Sequence, residues 1–376
     1  MVEKGKSNLF YCNGNVPIIM ACSIMRQLYM NDNNILILER NNKTDDKKLI
    51  EDCLVKNAGW SHIQVIDVNL KFVMFSDLAW PFSLIKYFYH SFFILKDRKK
   101  TVKILNNIIK KYPHINNYFF SDNSNMLKYV YGKTIKSFSY IEHGASSYYL
   151  NRFSNKRSLK AYPKIILNTL LGASNIIRPE KIYLSDGGRS LAVNQSVKNE
   201  FSLTPISLNI SEEVAYVYKE FIKQYEVIAT PAYNELRLFL NKFSQKTTYL
   251  YLPTEGVSSE EYITFLKKEL KDVQTDDSIF IIKPHSNDRN RNYKLFFSEL
   301  GVNCFQFENK INLDIPAEFL LLFFKNIVLL GTYSSTHLYA KWWIQRRTIV
   351  SDVGKIDTAS VRRHIEGEYK AVCNDF

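Results

Sequence analysis

The stretch "NLFYCNGNVPIIMACSIMRQLYMNDNNILILER", Asn8 to Arg40, decides the class of fold. The runs "NLFYC" and "NILILER" have the short apolar character of buried strands, and the segment "VPIIMACSIMRQLYM" between them has the length of a helix. A strand, a helix and a second strand in this order form the unit from which parallel sheets are built. The sequence therefore predicts an α/β protein with helices on both faces of a sheet.

The same alternation continues along the chain. "HIQVIDV", "NYFFSD", "SFSYIE" and "KIYLSDGG" are predicted strands, and a helical block is predicted from Pro81 to Tyr112, broken near Asp97. A helix from about 211 to 245 contains Pro231, which predicts two helices rather than one. A second series then begins, in which the strands "TTYLYLP", "SIFIIKPH", "VNCFQF" and "NIVLLG" alternate with helices.

Two such series predict two doubly wound, Rossmann-like domains that face a central cleft. We assign residues 1–245 to the first domain and residues 246–351 to the second. Residues 352–376 form a C-terminal segment that we expect to pack back on the first domain.

The chain is strongly basic, with 50 Lys and Arg against 37 Asp and Glu and a formal net charge of +13. A basic excess favours polyanionic partners, namely nucleic acid, an anionic membrane surface or acidic glycans. The aromatic residues are spread through core-like segments, and no recognition helix or RNA-binding signature is present. We therefore expect no nucleic-acid partner. The densest basic stretch, Lys96 to Lys111, is either a solvated helix face or a patch for phospholipid or an acidic acceptor.

Targeting signals and cysteine patterns indicate the compartment. Five scattered cysteines with no CxxC pair indicate neither a zinc site nor a disulfide framework, which fits a reducing compartment. The N-terminus "MVEKGKSNLF" lacks the apolar core of a signal peptide. No apolar run reaches the ~18 residues that span a bilayer. We expect a cytoplasmic protein in peripheral contact with the anionic face of the inner membrane.

Polar residues and glycines follow several predicted strands at the point where each strand ends. Ligands of open α/β sheets bind beyond the carboxyl ends of the strands. The residues at these ends are Asn13, Gly14 and Asn15; Glu142, His143 and Gly144; Thr254, Glu255 and Gly256; Lys283, Pro284 and His285; and Gly331 to Thr336. We predict that they line one cleft.

The segment "LLGTYSST", Leu329 to Thr336, places three hydroxyl residues at the start of a predicted helix. The free N–H groups and partial positive charge of a helix N-terminus bind anions, and Ser334 and Ser335 can add hydroxyl donors. This arrangement suits a phosphate. Simple helix capping explains the same residues, because Ser and Thr are favoured caps whatever the function.

Three other strand ends or helix starts carry ionisable residues. Lys283 and His285 could hold a phosphate or protonate a leaving group, or could belong to an ordinary surface loop. Glu318 could accept hydrogen bonds from a ribose, or could favour the dipole of the helix that it begins. Glu142 and His143, followed by Gly144, form either a plain turn or a catalytic carboxylate at the lip of a sheet.

These short motifs occur in one order along the chain: Glu142-His143-Gly144, Lys283-Pro284-His285, Ile315-Pro316-Ala317-Glu318 and Ser334-Ser335-Thr336. The order resembles that of the bacterial sialyltransferases and polysialyltransferases of GT-B architecture, which use CMP-activated sugars. Their hallmarks are an acid-acid-glycine motif, a histidine-proline motif and a serine-serine or serine-threonine motif. The resemblance spans most of the chain, although residues 151–245 contain none of the motifs and are included only because they lie between them.

Two departures from the family pattern stand out. His143 occupies the place of the family's second acid, and the proline precedes His285, whereas in the family it follows the histidine. Glu142 keeps the place of the first acid.

The resemblance implies an inverting glycosyltransferase that moves sialic acid or a related nonulosonic acid from a CMP-sugar to a surface glycan or glycolipid. No metal or other cofactor is expected, because a single leaving phosphate needs no metal bridge. Glu142 would be the general base, and His285 would act with Ser334 and Ser335 on the phosphate. The further residues implied for nucleotide binding are Thr336, Lys283, Glu318, Thr254 and Gly331, and those implied for acceptor binding are His143, Asn13 and Asn15.

Other interpretations of the sequence stay open. A Kdo transferase, or a glycerophosphotransferase of wall-polymer synthesis, could share the phosphate-binding architecture. A basic nucleic-acid-binding protein and an inactive homologue, in which His143 marks lost activity, are the remaining alternatives.

Overall fold

The structure is a computed structural model. The residues that it describes are 6–41, 45–56, 58–68, 99, 102–112, 114–121, 127–144, 147, 166, 169, 174, 177–188, 205–253, 259–271, 273–284, 292–308, 315–324, 326–331, 335–344 and 347–350. The chain divides into two compact units. The first comprises Met1–Thr44, Val55–His143 and Ser147–Asn209, and the second comprises Asp45–Leu54, Gly144–Ser146 and Ile210–Phe376.

The first unit contains a parallel sheet. In the described part of the chain its strands are β1 Ser7–Cys12, β2 Asn33–Asn41, β3 His62–Val68, β4 Ile115–Phe120, β5 Ser139–Ile141, β6 Lys181–Leu184 and β7 Pro205–Ser207. Their order is β3-β2-β1-β4-β5-β6-β7. This is the doubly wound order, in which the sheet changes direction between β1 and β4.

Among the described residues before β7, the helices are α1 Asn15–Leu28, α2 Asp45–Val55 and α3 Leu127–Val130, and a further helical stretch covers residues 102–111. Strand β1 is buried along its whole length, and α1 buries a continuous run from Pro17 to Met25. The Phe10 ring stacks on Phe119 of β4 at 4.4 Å between centroids. Apolar residues on both faces explain why β1 has no polar alternation.

The second unit repeats the plan with five described strands. They are β8 Thr247–Leu252, β9 Ser278–Ile282, β10 Cys304–Gln306, β11 Ile327–Gly331 and β12 Thr348–Val350. Their order is β10-β9-β8-β11-β12, and every pair is parallel. The direction therefore changes between β8 and β11. The described helices are α4 Ser211–Lys242, α5 Ser259–Glu269, α6 Tyr293–Glu299, α7 Ala317–Phe323 and α8 Ser335–Trp342.

The core of the second unit is rich in aromatic rings. Tyr251, Tyr262, Tyr293 and Phe297 are fully buried in one cluster with Phe280. The Tyr251 hydroxyl lies 2.8 Å from the Tyr262 hydroxyl and also donates to a carboxylate at the end of α5. The aromatic content of the sequence therefore serves packing here.

The predicted fold class is confirmed, because both units carry parallel sheets with alternating helices. The cleft between the two units stays a prediction. The predicted packing of residues 352–376 lies outside the described residues, as does the part of the predicted helical block from residue 81 to residue 98, which includes the predicted break near Asp97. The predicted break at Pro231 was wrong, since Pro231 lies exposed inside the continuous helix α4. A proline in a helix lacks the N–H that would donate to the carbonyl four residues earlier, and on an exposed helix face water can donate to that carbonyl instead.

Helix α4 packs within the second unit, in the part that runs from Ile210 to Phe376. Phe221 and Tyr233 contact rings of α7, with centroid distances of 5.0 Å to Phe319 and 4.8 Å to Phe323. These contacts group α4 with the second sheet from Ile210 onward, whereas the sequence assigned residues 211–245 to the first domain.

Candidate active site

The second sheet brings β8 and β11 together at the point where its direction changes, and Gly331 ends β11 there. Gly331 pairs with Leu252, the last residue of β8, and has φ +155°. A Cβ atom at Gly331 would lie 2.8 Å from the Leu252 carbonyl oxygen. Only glycine therefore lets β11 lie this close to β8 without a shift of the backbone. This explains the glycine between strand β11 and the hydroxyl residues Ser334 to Thr336.

Three residues predicted for nucleotide binding come together beyond this edge. Glu318 and Lys283 are buried, at 9% and 8% exposure, and the Thr336 hydroxyl donates a hydrogen bond to the Glu318 carboxylate. Burial raises the pKa of the Glu318 carboxyl, while its own backbone N–H, the Thr336 hydroxyl and the positive charge of Lys283 oppose the rise. The result is a compact group with a cation, a carboxylate and a hydroxyl.

Each member of this group is placed by the end of an element. Lys283 follows β9, and its N–H donates to the Tyr251 carbonyl oxygen at 3.0 Å. This hydrogen bond extends the pairing of β8 and β9 by one residue. Glu318 is the second residue of α7, after Pro316 at the N-cap, and Thr336 is the second residue of α8. Two helix starts and one strand end thus meet at the carboxyl edge, where ligands of such sheets bind.

His337 was not predicted, although it lies next to this group. Its side chain is fully buried, and the Cε1 atom lies 3.7 Å from the position of a Cβ on Gly331. Burial lowers the pKa of His337 to about 4, against a hydrogen bond to the Ile349 backbone that raises it. A neutral imidazole therefore fixes α8 against β11 and β12. The only signal in the sequence was its place directly after the hydroxyl run.

The remaining predicted donor residues are not all described. Ser335 begins α8, which agrees with the predicted helix start. Thr254, His285 and Ser334 lie outside the described residues. The convergence of His285 with Ser334 and Ser335 on one phosphate stays a prediction.

In the first unit, Glu142 follows β5 and is fully buried. One carboxylate oxygen, Oε2, accepts hydrogen bonds from the backbone N–H of Ser185 at 2.6 Å and from Ser185 Oγ at 2.9 Å. The Glu142 N–H donates to the Tyr183 carbonyl oxygen at 3.0 Å. The residue is thus held against the end of β6. Ser185 was not predicted as a site residue, because the sequence does not show which strands are neighbours.

His143 and Gly144 continue the loop. His143 is exposed, and its N–H donates to Ser147 Oγ at 2.8 Å. Gly144 has φ +152°, a conformation that L side chains rarely adopt, in agreement with the predicted turn. The exposed side chain on the lip is therefore that of His143, with Glu142 beneath it.

Asn13 and Asn15 lie where the direction of the first sheet changes. They flank Gly14, the N-cap of α1 with φ +104°, and both are partly buried. Ser121, which follows β4, donates its N–H to the Tyr11 carbonyl oxygen at 3.2 Å. The ends of β1 and β4 are therefore adjacent, as a ligand site at this position requires.

Membrane-spanning helices and metal clusters are both absent from the described residues. None of the described helices combines the length and the apolar character needed to cross a bilayer. Within the described ranges, no cluster of three His, Cys, Asp or Glu residues could hold a metal ion.

No protein-family profile and no curated protein sequence matches the chain. Solved structures do resemble it. A Listeria monocytogenes protein assigned as a UDP-N-acetylglucosamine 2-epimerase aligns with a TM-score of 0.50 at 8% identity, over 98% of this chain and 90% of its own. The UDP-GlcNAc 2-epimerase of Neisseria meningitidis bound to UDP-GlcNAc gives 0.49 at 13% identity, with the same coverage. Medicago truncatula UGT71G1 complexed with UDP-glucose gives 0.47 at 10% identity, also over 98% and 90%.

Together with the two doubly wound sheets, the Listeria alignment defines a fold of the GT-B class. At such low identity the likeness extends to the fold alone. None of the three structures is described as a sialyltransferase.

Proposed function

We propose that this protein is a GT-B glycosyltransferase whose second unit binds a nucleotide-activated sugar. The observation that carries the proposal is the meeting of Lys283, Glu318 and Thr336 beside Gly331, at the carboxyl edge of the sheet. To bind a nucleoside monophosphate that is linked to a sugar, a protein needs an anion site for the phosphate and a hydrogen-bond acceptor for the ribose hydroxyls. Lys283 and the N-terminus of α8 suit the phosphate, and the Glu318 carboxylate suits the ribose.

We further propose that the donor is a CMP-linked sialic acid or another nonulosonic acid. The order of the four sequence motifs supports this choice. In the proposed mechanism, His285, Ser334 and Ser335 stabilise the negative charge that grows on the leaving phosphate. The Listeria protein, assigned to a UDP-sugar, favours a second candidate, a UDP-sugar enzyme.

A thermal-shift panel with CMP, UMP, UDP and GDP separates the two donors. A ligand that binds only the folded protein raises its stability by RT ln(1 + [L]/Kd), about 2.7 kcal/mol at a hundredfold excess over Kd. We expect CMP alone to raise Tm. A selective rise with UDP would instead favour the UDP-sugar enzyme, and hydrolysis assays with CMP-sialic acid and CMP-Kdo would separate those two CMP-linked sugars.

The proposed transfer is a single displacement with inversion. A base on the first unit takes the proton of the acceptor hydroxyl, the acceptor oxygen bonds to the anomeric carbon, and the carbon–oxygen bond to CMP breaks. CMP leaves with the electron pair. Glu142 is the proposed base, and the exposure of His143 makes that imidazole the competing candidate because its unperturbed pKa lies near neutrality.

Paired variants decide between the two bases. Glu142→Gln keeps the shape and removes the basicity, so we expect transfer to fall by about 10²–10⁴-fold. His143→Ala should cost far less, and CMP binding should stay nearly unchanged in both variants. A large loss in the His143 variant with a mild loss in the Glu142 variant would transfer the role of base to His143.

The acceptor is proposed to be a surface glycan or glycolipid at the inner membrane, which the basic excess of the chain would favour. Exposed charges are screened over about 10 Å at 0.1 M salt. Binding to vesicles with anionic lipid should therefore weaken steeply between about 0.05 and about 0.5 M salt, as the Debye length shortens. Retention at high salt would contradict a purely electrostatic contact.

A further inference from the structure

The clearest contact outside the predicted residues joins Ser185 to Glu142. Both donors of Ser185, the backbone N–H and the hydroxyl, bond to the same carboxylate oxygen, at 2.6 Å and 2.9 Å. Hydrogen bonds to an ionised acceptor are about twice as strong as neutral ones. We propose that Ser185 is the positioning residue of the catalytic base, a role that rests on the function proposed above for Glu142.

The turn that holds Ser185 is fixed on the side of β7. A Cβ on Gly187 would lie 2.7 Å from the Pro205 carbonyl oxygen, so the turn lies too close to the backbone of β7 for any residue larger than glycine. The Gly187 N–H donates to Ser207 Oγ at 2.9 Å, and the N–H of Leu208 donates to the Leu184 carbonyl oxygen at 3.0 Å. Contacts with strand β7 therefore fix the turn that carries the two donors of Ser185.

The surroundings of the pair make the two hydrogen bonds consequential. Glu142 is fully buried, where a carboxylate without donors would be costly. Helix α1 contributes the uncharged Met20, whose sulfur lies 3.7 Å from Ser185 Oγ. In the described parts of the two loops, residues 142–144, 147 and 185–188, the titratable groups besides Glu142 are His143 and Asp186. Ser185 thus supplies two donors to a buried carboxylate oxygen and fixes the direction of the carboxylate.

A double-mutant cycle on transfer activity tests this role. Ser185→Ala removes the hydroxyl donor and keeps the backbone N–H, so we expect kcat to fall about tenfold with the donor KM within about twofold, as for loss of one hydrogen bond to a charged group. Ser185→Thr keeps a hydroxyl and should restore most of kcat. In a Glu142→Gln background, Ser185→Ala should reduce kcat by less than about twofold, because coupled residues are not additive.

The outcomes separate the two proposals. A tenfold further loss in the Glu142→Gln background, or full activity of Ser185→Ala, would overturn the role of Ser185 and leave the transferase intact. If the wild-type protein shows no turnover of any CMP-sugar, or if Glu142→Gln is fully active, the proposed base is wrong and the role of Ser185 falls with it. Should Ser185→Ala fail to fold, Ser185→Cys keeps the volume with a weaker donor and completes the same cycle.

Discussion

Gly331 offers the sharpest test of the candidate donor site, through the substitution Gly331→Ala. The glycine has φ +155°, and its added Cβ would lie 2.8 Å from the Leu252 carbonyl oxygen and 3.5 Å from the Leu252 Cβ. The atom in the way belongs to the backbone of the paired strand, so a rotamer change cannot relieve the contact. Either β11 moves away from β8, or the end of β11 and the start of α8 change direction.

The expected cost is the sum of two effects. A side chain at such a backbone conformation costs about 1–3 kcal/mol, and overpacking costs about another 1–3 kcal/mol. We therefore expect Gly331→Ala to lower the free energy of unfolding by roughly 2–6 kcal/mol, a large part of the 5–15 kcal/mol typical of a domain. Because Ser335 and Thr336 lie within a few residues of Gly331 along the chain, the rise in Tm that we propose for CMP should also disappear.

Gly301→Ala is the matched control. Gly301 has φ +70°, and no atom lies within 4 Å of the position of its Cβ, so only the backbone cost of about 1–2 kcal/mol applies. Urea unfolding of both variants, with CMP thermal shifts, measures the difference. Equal losses in the two variants, with CMP binding retained in Gly331→Ala, would refute the close approach of β8 and β11.

Two further predictions concern pH and a buried amide network. The pKa of His337 is about 4 in the folded chain and 6.5 in the unfolded chain, so the unfolded chain alone takes up a proton between these values. The free energy of unfolding should therefore fall by up to about 3 kcal/mol as pH drops from 6.5 to 4. The raised pKa of Glu318 acts in the opposite direction, because it makes the folded chain take up a proton as the pH falls. The contribution of His337 is therefore measured as the difference in pH dependence between the wild-type protein and His337→Asn. If the free energy of unfolding changes with pH in the same way in both proteins, the prediction for His337 is wrong. Asn8 bonds Asn34 at 3.0 Å and Asn117 at 2.8 Å, so Asn8→Ala should cost about 2–4 kcal/mol in urea unfolding, and a change below about 0.5 kcal/mol would show that the network contributes little.

Much of the fold could be predicted, because parallel strands buried on both faces leave continuous apolar runs such as β1 and β9. The failures have local causes. Strand β7, Pro205–Ser207, is too short to show a period, and its leading proline is compatible only with the start or edge of a sheet. The break at Pro231 followed the local rule for helices, but the packing of α4 on α7 outweighs one lost hydrogen bond.

The candidate site could be predicted only in part, for a different reason. Lys283 comes directly after a strand, and Glu318 and Thr336 lie at the starts of helices, so the local sequence is enough to place all three at a strand end or a helix start. The role of Ser185 is not visible in this way, because it depends on Glu142, which lies 43 residues earlier and becomes a neighbour only when β5 pairs with β6. Local patterns locate strand ends, whereas the order of strands decides which ends meet.

The placement of buried acids carries more functional information than their burial. Glu269 is buried at the end of α5 and accepts a hydrogen bond from Tyr251 within the aromatic core, where it needs no ligand to explain it. Glu142 and Glu318 are buried as well, and each accepts a hydrogen bond from a hydroxyl, of Ser185 or of Thr336. Apolar residues of similar volume often serve stability as well as buried charges do. What distinguishes Glu142 and Glu318 is that both lie beyond carboxyl ends of parallel strands, where open α/β sheets bind their ligands.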